Sequence, residues 1–288
     1  MILIAESGST KTDWVLIDEN FDTSMFSTIG FNPFFHNEKI IAKHIHENVE
    51  FYNSCKNVEK VFFYGAGCSS VELNSIIENG LKGVFKSAAI TVEHDLLACA
   101  LSTYEGQPSI SCILGTGSNS CYYDGENLLE EVPALGYVLG DEGSGSFFGK
   151  KLLTDYLYNK LPHQIKDDLE CHFKISKAII FENVYMKPNA NVYLASFMRF
   201  ITNHKEHEYV SSMVEDGMDQ FIKTHVCCFK NYKEVKTHFI GSLSAIYEQE
   251  LRSAAKKNNV TIGNIVRKPV NGLVNYHMRK LKKELSNS

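Results

Sequence analysis

The sequence predicts a mixed α/β protein made of two related halves. Three observations carry this. Apolar runs of strand length alternate with stretches of helical periodicity. An apolar run passes into a Gly/Ser/Thr turn near residue 8 and does so again near residue 115. The alternation also restarts at Gln107-Pro108.

Residues 2–5 and 14–17 read as strands flanking the first turn, and residues 61–64 as a third, closed by Gly65-Ala66-Gly67. Leu73, Ile76, Ile77 and Leu81 fall at helical spacing. Residues 88–92 form a strand, and a helix begins at Asp95. In the second half, residues 110–114 and 121–123 are strands around Gly115-Thr116-Gly117-Ser118. Asp124-Gly125 turns the chain toward a strand at 128–130. Residues 144 to about 226 are mostly helical in pattern. Residues 235–240 are a strand, Gly241-Ser242 opens a helix to about residue 257, 261–266 is the last strand and 270–285 the last helix. The expected division is residues 1–107 with 269–288, and residues 108–268.

Composition narrows the function. Of 288 residues, 44% are hydrophobic and 22% charged, ordinary values for a globular chain of more than one domain. The net charge is −5, with no basic stripe carrying interleaved aromatics, which argues against nucleic acid. The start, MILIAESGS, has a five-residue apolar run followed by Glu6; it reads as a buried strand rather than a signal peptide. No apolar run approaches the ~20 residues that span a bilayer, so no membrane association is expected. The eight cysteines read as reduced thiols of a cytoplasmic protein, and no Cys-x-x-Cys suggests zinc.

Two turns could bind an anion. Ser7-Gly8-Ser9-Thr10-Lys11-Thr12 offers backbone N–H groups, hydroxyls and a lysine. It lacks the Walker pattern and the dinucleotide fingerprint, since no helix follows it. Gly115-Thr116-Gly117-Ser118-Asn119-Ser120 repeats the arrangement. Either alone could be a plain hairpin; two of them, one heading each half, suggest a duplicated domain with paired phosphate turns. Downstream, the segment from Gly136 to Ser146 holds Asp141 and Glu142 among glycines and serines, and reads as a ligand loop entering a helix at Ser144. Asp95, at a strand end, could be a general base or the cap of the next helix. Asn32, in Gly30-Phe31-Asn32-Pro33, has an ordinary Asn-Pro turn as its default reading.

In order, the segments Ala5-Glu6-Ser7-Gly8-Ser9-Thr10-Lys11-Thr12-Asp13-Trp14, Gly30-Phe31-Asn32-Pro33, Gly115-Thr116-Gly117-Ser118-Asn119 and Gly140-Asp141-Glu142-Gly143-Ser144 resemble the BadF/BadG/BcrA/BcrD ATPases. Within that family they resemble the N-acetylglucosamine kinases. The resemblance spans nearly the whole chain, to Gly272-Leu273-Val274-Asn275-Tyr276-His277. It implies two actin-like (ribonuclease H-like) lobes around a central cleft for ATP and sugar, a homodimer, and transfer of the γ-phosphoryl of ATP to the 6-hydroxyl of an amino sugar. By resemblance, Gly8, Ser9, Thr10, Lys11 and Thr12 form the first phosphate loop, and Thr116 and Gly117 belong to the second. Gly241 and Ser242 would touch adenosine, Asp95 would be the catalytic base, and Asn32, Ser118, Asn119 and Asp141 would hold the sugar. Glu6 stands where the superfamily usually has Asp, which implies Mg2+ held through water.

Two rival classes share the motifs. Other family members are ATP-driven activators of 2-hydroxyacyl-CoA dehydratases, whose iron–sulfur cluster needs a cysteine pair at a subunit interface. Cys112 and Cys121 fall within or beside strands and Cys171 in a helical region, none in a glycine-rich ligand loop. A sugar sensor without turnover is the other; Asp95 and the two phosphate turns argue against it.

Overall fold

The computed structural model describes residues 1–8 and 10–286. The chain divides into two compact units, 1–104 with 268–288, and 105–267. The first contains β1 (Ile2–Ser7), β2 (Lys11–Ile17), β3 (Thr23–Ile29), α1 (Glu38–Glu47), α2 (Val49–Ser54), β4 (Lys60–Gly65), α3 (Val71–Lys82), β5 (Ala89–His94) and α4 (Asp95–Thr103). Its sheet runs β3-β2-β1-β4-β5, with β1, β4 and β5 parallel and β2 and β3 antiparallel additions. The second contains β6 (Ser109–Leu114), β7 (Ser118–Tyr123), β8 (Leu128–Leu129), α5 (Gly136–Leu139), α6 (Gly145–Leu157), α7 (His163–His172), α8 (Lys177–Phe181), α9 (Ala190–Ser196), α10 (Met198–Asn203), α11 (Glu208–Phe221), β9 (Lys236–Ile240), α12 (Ser242–Ile246), α13 (Glu248–Lys257) and β10 (Thr261–Val266). Its sheet runs β8-β7-β6-β9-β10, again with a parallel trio and an antiparallel hairpin arm. Helix α14 (Val270–Ser286) belongs to the first unit.

In the first unit, one sheet face buries Leu3, Ala5, Trp14, Val61 and Phe63 together with Phe31, Phe51, Ile77 and Leu81. The opposite face is covered by α4 and α14. These two helices cross closely because Gly272 has no side chain: a Cβ there would lie 2.3 Å from the Ser102 carbonyl oxygen. The His277 ring lies 4.3 Å from that of Phe62, and its Nε2 is 2.9 Å from the Tyr64 hydroxyl. Burial, reinforced by Lys280, pushes the His277 pKa down to about 4. The second unit has a larger apolar core of Ile110, Leu114, Phe148, Leu152, Phe197, Val214, Phe221 and Phe239, which holds α6 and α11 onto its sheet. Among the described residues no helix is long and apolar enough to cross a membrane.

Several elements differ from the sequence expectation. β3, α1 and α2 carry no clear signal in the sequence reading. β3 is an edge strand whose Met25 and Ile29 are exposed, so its apolar residues do not alternate toward a core. The segment expected as an open loop from 136 contains the one-turn helix α5. The helix expected from 242 to about 257 is two helices, α12 and α13, meeting at Tyr247. The helical region from 144 also contains π-turns at Glu182–Met186 and Ile222–Val226.

Candidate active site

In the first unit the polar groups gather where β1, β4 and β5 end. Cross-strand register sets Glu6 opposite Asp13 on β2 and opposite Tyr64 on β4. The turn after β1 closes with Gly8 N–H donating to the Lys11 carbonyl at 3.0 Å. Ser9 lies outside the described residues, and Thr10 is exposed. The Thr12 hydroxyl is committed inward: it donates to the Ile29 carbonyl at 2.9 Å and lies 2.8 Å from the Ser7 hydroxyl. Ser7 in turn accepts from Phe31 N–H at 2.9 Å. The two hydroxyls therefore fasten the β3–α1 connection against the turn. Gly30 explains why this packing tolerates no substituent, since a Cβ would sit 2.2 Å from the Gly8 carbonyl oxygen.

The turn is strongly charged. Lys11 Nζ lies 2.5 Å from Asp13 Oδ1, and Lys268 Nζ lies 3.1 Å from Asp13 Oδ2. Burial would raise the Asp13 pKa, but hydrogen bonds from both lysines outweigh it and hold the carboxyl below its usual range. Glu6 behaves oppositely. Burial first, then the charges of Asp95 and Asp13, raise its pKa to about 7, against weaker opposing pulls from Lys268 and Lys11.

Asp95 is the first residue of α4, and the cap is its neighbour. His94 Nδ1 accepts from Leu96 N–H at 3.2 Å and lies 3.0 Å from Asp95 Oδ1. The capping role left open for Asp95 thus falls to His94. Asn32 is buried in an Asx turn: its Oδ1 accepts from Phe34 N–H at 2.9 Å and would lie 2.7 Å from a Cβ on Gly67. Among the described residues nothing is bonded to its Nδ2.

The second unit repeats the turn without a lysine on it. Gly115 N–H donates to the Gly117 carbonyl at 3.0 Å. The first amides of α6 are spent on the same turn, Gly145 N–H to Gly115 at 2.9 Å and Ser146 N–H to Thr116 at 3.0 Å. Gly241, at φ 129°, follows β9; its Cβ would lie 2.0 Å from the Leu114 carbonyl oxygen, so only glycine fits beside the end of β6. Ser242 beside it is exposed.

Asp141 takes the left-handed φ of 61°. Its buried carboxylate receives Ser118 N–H and the Ser146 hydroxyl, both at 3.4 Å. Burial raises its pKa against these bonds. It also lies against Gly117, where a Cβ would approach Oδ2 to 3.0 Å. The Ser118 hydroxyl donates to the Glu142 carbonyl at 2.7 Å. Asn119 Nδ2 donates to Glu130 at 3.3 Å, and its Oδ1 accepts from Ser120 N–H at 2.8 Å. Within this unit Ser118, Asp141, Gly117 and Ser146 form one cluster, with Asn119 next to it on β7.

No family model and no curated protein sequence matches the chain. Solved structures do. A candidate N-acetylglucosamine kinase from Porphyromonas gingivalis is 35% identical over 96% of this chain and 98% of its own, with a TM-score of 0.90. The chain belongs to the same sugar-kinase family. Its fold is the actin-like ATPase fold of such kinases. A candidate N-acetylglucosamine kinase from Chromobacterium violaceum shares that fold at TM-score 0.73 and 15% identity, covering 96% of this chain and 98% of its own. So does a ROK-family glucokinase from Streptomyces griseus, solved with glucose and AMPPNP, at TM-score 0.54 and 14% identity, covering 96% of this chain and 97% of its own.

Sequence reading assigned no role to Asp13, His94 or Lys268 in this sugar-kinase relative. Asp13 could have been found: it lies two residues from Lys11 on β2, so both side chains share a face. Lys268 reaches Asp13 across 255 positions, a pairing with no local signal. For a cation, no three His, Cys, Asp or Glu side chains converge among the described residues. The fit is of another kind: Glu6, its pKa raised by burial and then by neighbouring carboxylates, suits an ion held mainly by water and phosphate.

Proposed function

We propose that this protein is an ATP-dependent amino-sugar kinase, with N-acetylglucosamine phosphorylated at its 6-hydroxyl as the favoured reaction. The observation that carries the reading is Asp95, a carboxylate at a strand end whose helix is capped by His94 and whose charge is felt by Glu6. Family membership supports the same reading, and the ordered motifs support placement among the BadF/BadG/BcrA/BcrD ATPases.

Asp95 accepts the proton of the attacking hydroxyl as transfer proceeds. Backbone N–H groups of the two glycine turns, with Lys11, hold phosphate charge, while Thr12 keeps the first turn in shape. Gly241 and Ser242 border adenosine. Asn32 offers its Nδ2 to the sugar and Asp141 accepts from its hydroxyls, with Ser118 and Asn119 on β7 beside Asp141. Glu6 would hold Mg2+ through water, and the ion would supply neutralisation of phosphate charge when bound with the nucleotide.

An iron–sulfur activator fits poorly. Cys112 and Cys121 are buried in β6 and β7, with burial holding the Cys112 thiol protonated, and Cys171 lies on exposed α7. The test is ATP consumption measured against N-acetylglucosamine, glucosamine, N-acetylmannosamine and N-acetylmuramic acid. Sugar-dependent turnover, fastest with N-acetylglucosamine, is expected from a colourless protein. No ATP consumption with any of the sugars would overturn the reading in favour of the sensor, and visible absorption under anaerobic conditions in favour of the activator.

A further inference from the structure

Glu142 follows Asp141 and is held from two sides. Its carbonyl accepts from the Ser118 hydroxyl on β7 at 2.7 Å, and its Oε2 lies 3.2 Å from His225 Nε2. His225 is buried in the π-turn that follows α11, a local widening frequent at functional sites. Its ring stacks on Phe221 at 5.0 Å, and its carbonyl accepts from the Ser120 hydroxyl at 2.6 Å. His225 Nδ1 is buried with no hydrogen-bond partner among the described residues. The ring hydrogen is therefore best placed on Nε2, donating to Glu142.

This matters because the bonds to the Asp141 carboxylate are long, both at 3.4 Å. Its place is set chiefly by a backbone in the left-handed region, at φ 61°, with Gly143 at φ 69° two residues on. Such a backbone persists only where the surroundings over-determine it. Gly143 contributes by packing on α11, where a Cβ would come within 3.0 Å of Phe221 Cβ.

We propose that Glu142 and His225 are positioning residues that fix Asp141 for the sugar, and so set how tightly the sugar is held without touching it. This rests on the assignment of Asp141 to the sugar. His225→Phe keeps the stack on Phe221 and loses the bond to Glu142. KM for the sugar should rise about tenfold, with KM for ATP within about twofold and kcat within about threefold of wild type. His225→Gln and Glu142→Gln keep a donor and an acceptor and should restore sugar KM to within about threefold. If His225→Phe does not fold, Glu142→Ala carries the same test. An unchanged sugar KM, or sugar and ATP KM rising together, overturns the proposal. A crystal structure of the variant decides independently of any sugar: Asp141 leaving its left-handed φ supports the proposal, and Asp141 unmoved against Gly117 overturns it. A wild-type enzyme inactive on every amino sugar removes the functional reading alone, and the crystallographic arm still stands.

Discussion

The two units build the same sheet twice and furnish it differently. Both place a glycine turn between the first strand and its antiparallel partner, and both bring a second parallel strand beside it. Around the first turn lie Glu6, Lys11, Asp13, Asp95 and Lys268, a charged group in which Asp95 and Asp13 add to the burial that raises Glu6, while the two lysines hold Asp13 low against its burial. Around the second lie Ser118, Asn119, Ser120 and Ser146, neutral groups that bond backbone carbonyls, one another's neighbours and the carboxylates of Asp141 and Glu130. Topology thus supplies two glycine turns, and side chains make their surroundings different. Interacting charges surround the turn of one unit, and hydrogen bonds fix the side chains around the turn of the other.

If that division is right, removing a carboxylate should hurt differently in each unit. Asp95→Asn keeps size and cannot accept the proton, so kcat should fall by ~10²–10⁴-fold with sugar affinity little changed. Asp141→Asn should instead raise sugar KM by about 10–100-fold, the scale of one lost charge-assisted bond. Turnover and sugar binding measured on the same folded preparations separate the two. Equal kcat losses in both variants would erase the distinction.

The shared scaffold should fail symmetrically. Gly30→Ala drives a Cβ into the Gly8 carbonyl, and Gly241→Ala drives one into the Leu114 carbonyl at a φ disfavoured for alanine. Each should cost about 2–4 kcal/mol, read by chemical denaturation. A harmless Gly30→Ala would show that the first turn is not packed as described.

The smallest effect is electrostatic. Glu6 titrates near 4.5 unfolded and about 7 folded. Below 4.5 both states carry the proton; as pH rises to 7 the folded state increasingly resists ionisation, so stability is lost. The full penalty is present above pH 7, about 1–2 kcal/mol once solvent screening of a partly exposed group is allowed for. Nucleotide-free Glu6→Gln should therefore be more stable than wild type at pH 8, with the gap shrinking toward pH 4.5, in thermal unfolding at several pH values. A pH-independent difference would remove Glu6 from the charged group.

Legibility followed locality. The strands flanking each turn, the helix starts at Asp95 and Ser144 and the final helix were readable because their apolar spacing is set by near neighbours. β3 was not, since as an exposed edge it carries little period-two signal. The turns were readable as candidate phosphate loops, but not the fate of the Thr12 and Ser118 hydroxyls, which bond Ile29 and Glu142, residues 17 and 24 positions away. Asp95 stayed ambiguous because base and cap want the same residue at the same place. The cap fell to the His94 side chain, which sequence alone does not orient.

Helix α14 gives the first unit a peculiar order of assembly. Residues 105–267 are contiguous and can close as soon as they have left the ribosome. The unit that begins the chain cannot. Its α4 lacks a packing partner, Tyr64 lacks His277 and Asp13 lacks Lys268 until the last stretch is translated. The amino-terminal half therefore finishes second, and during synthesis it exposes the sheet face that α14 will cover. A chain cut near residue 267 would keep every residue of the second unit and would leave the first without the helix that covers one face of its sheet.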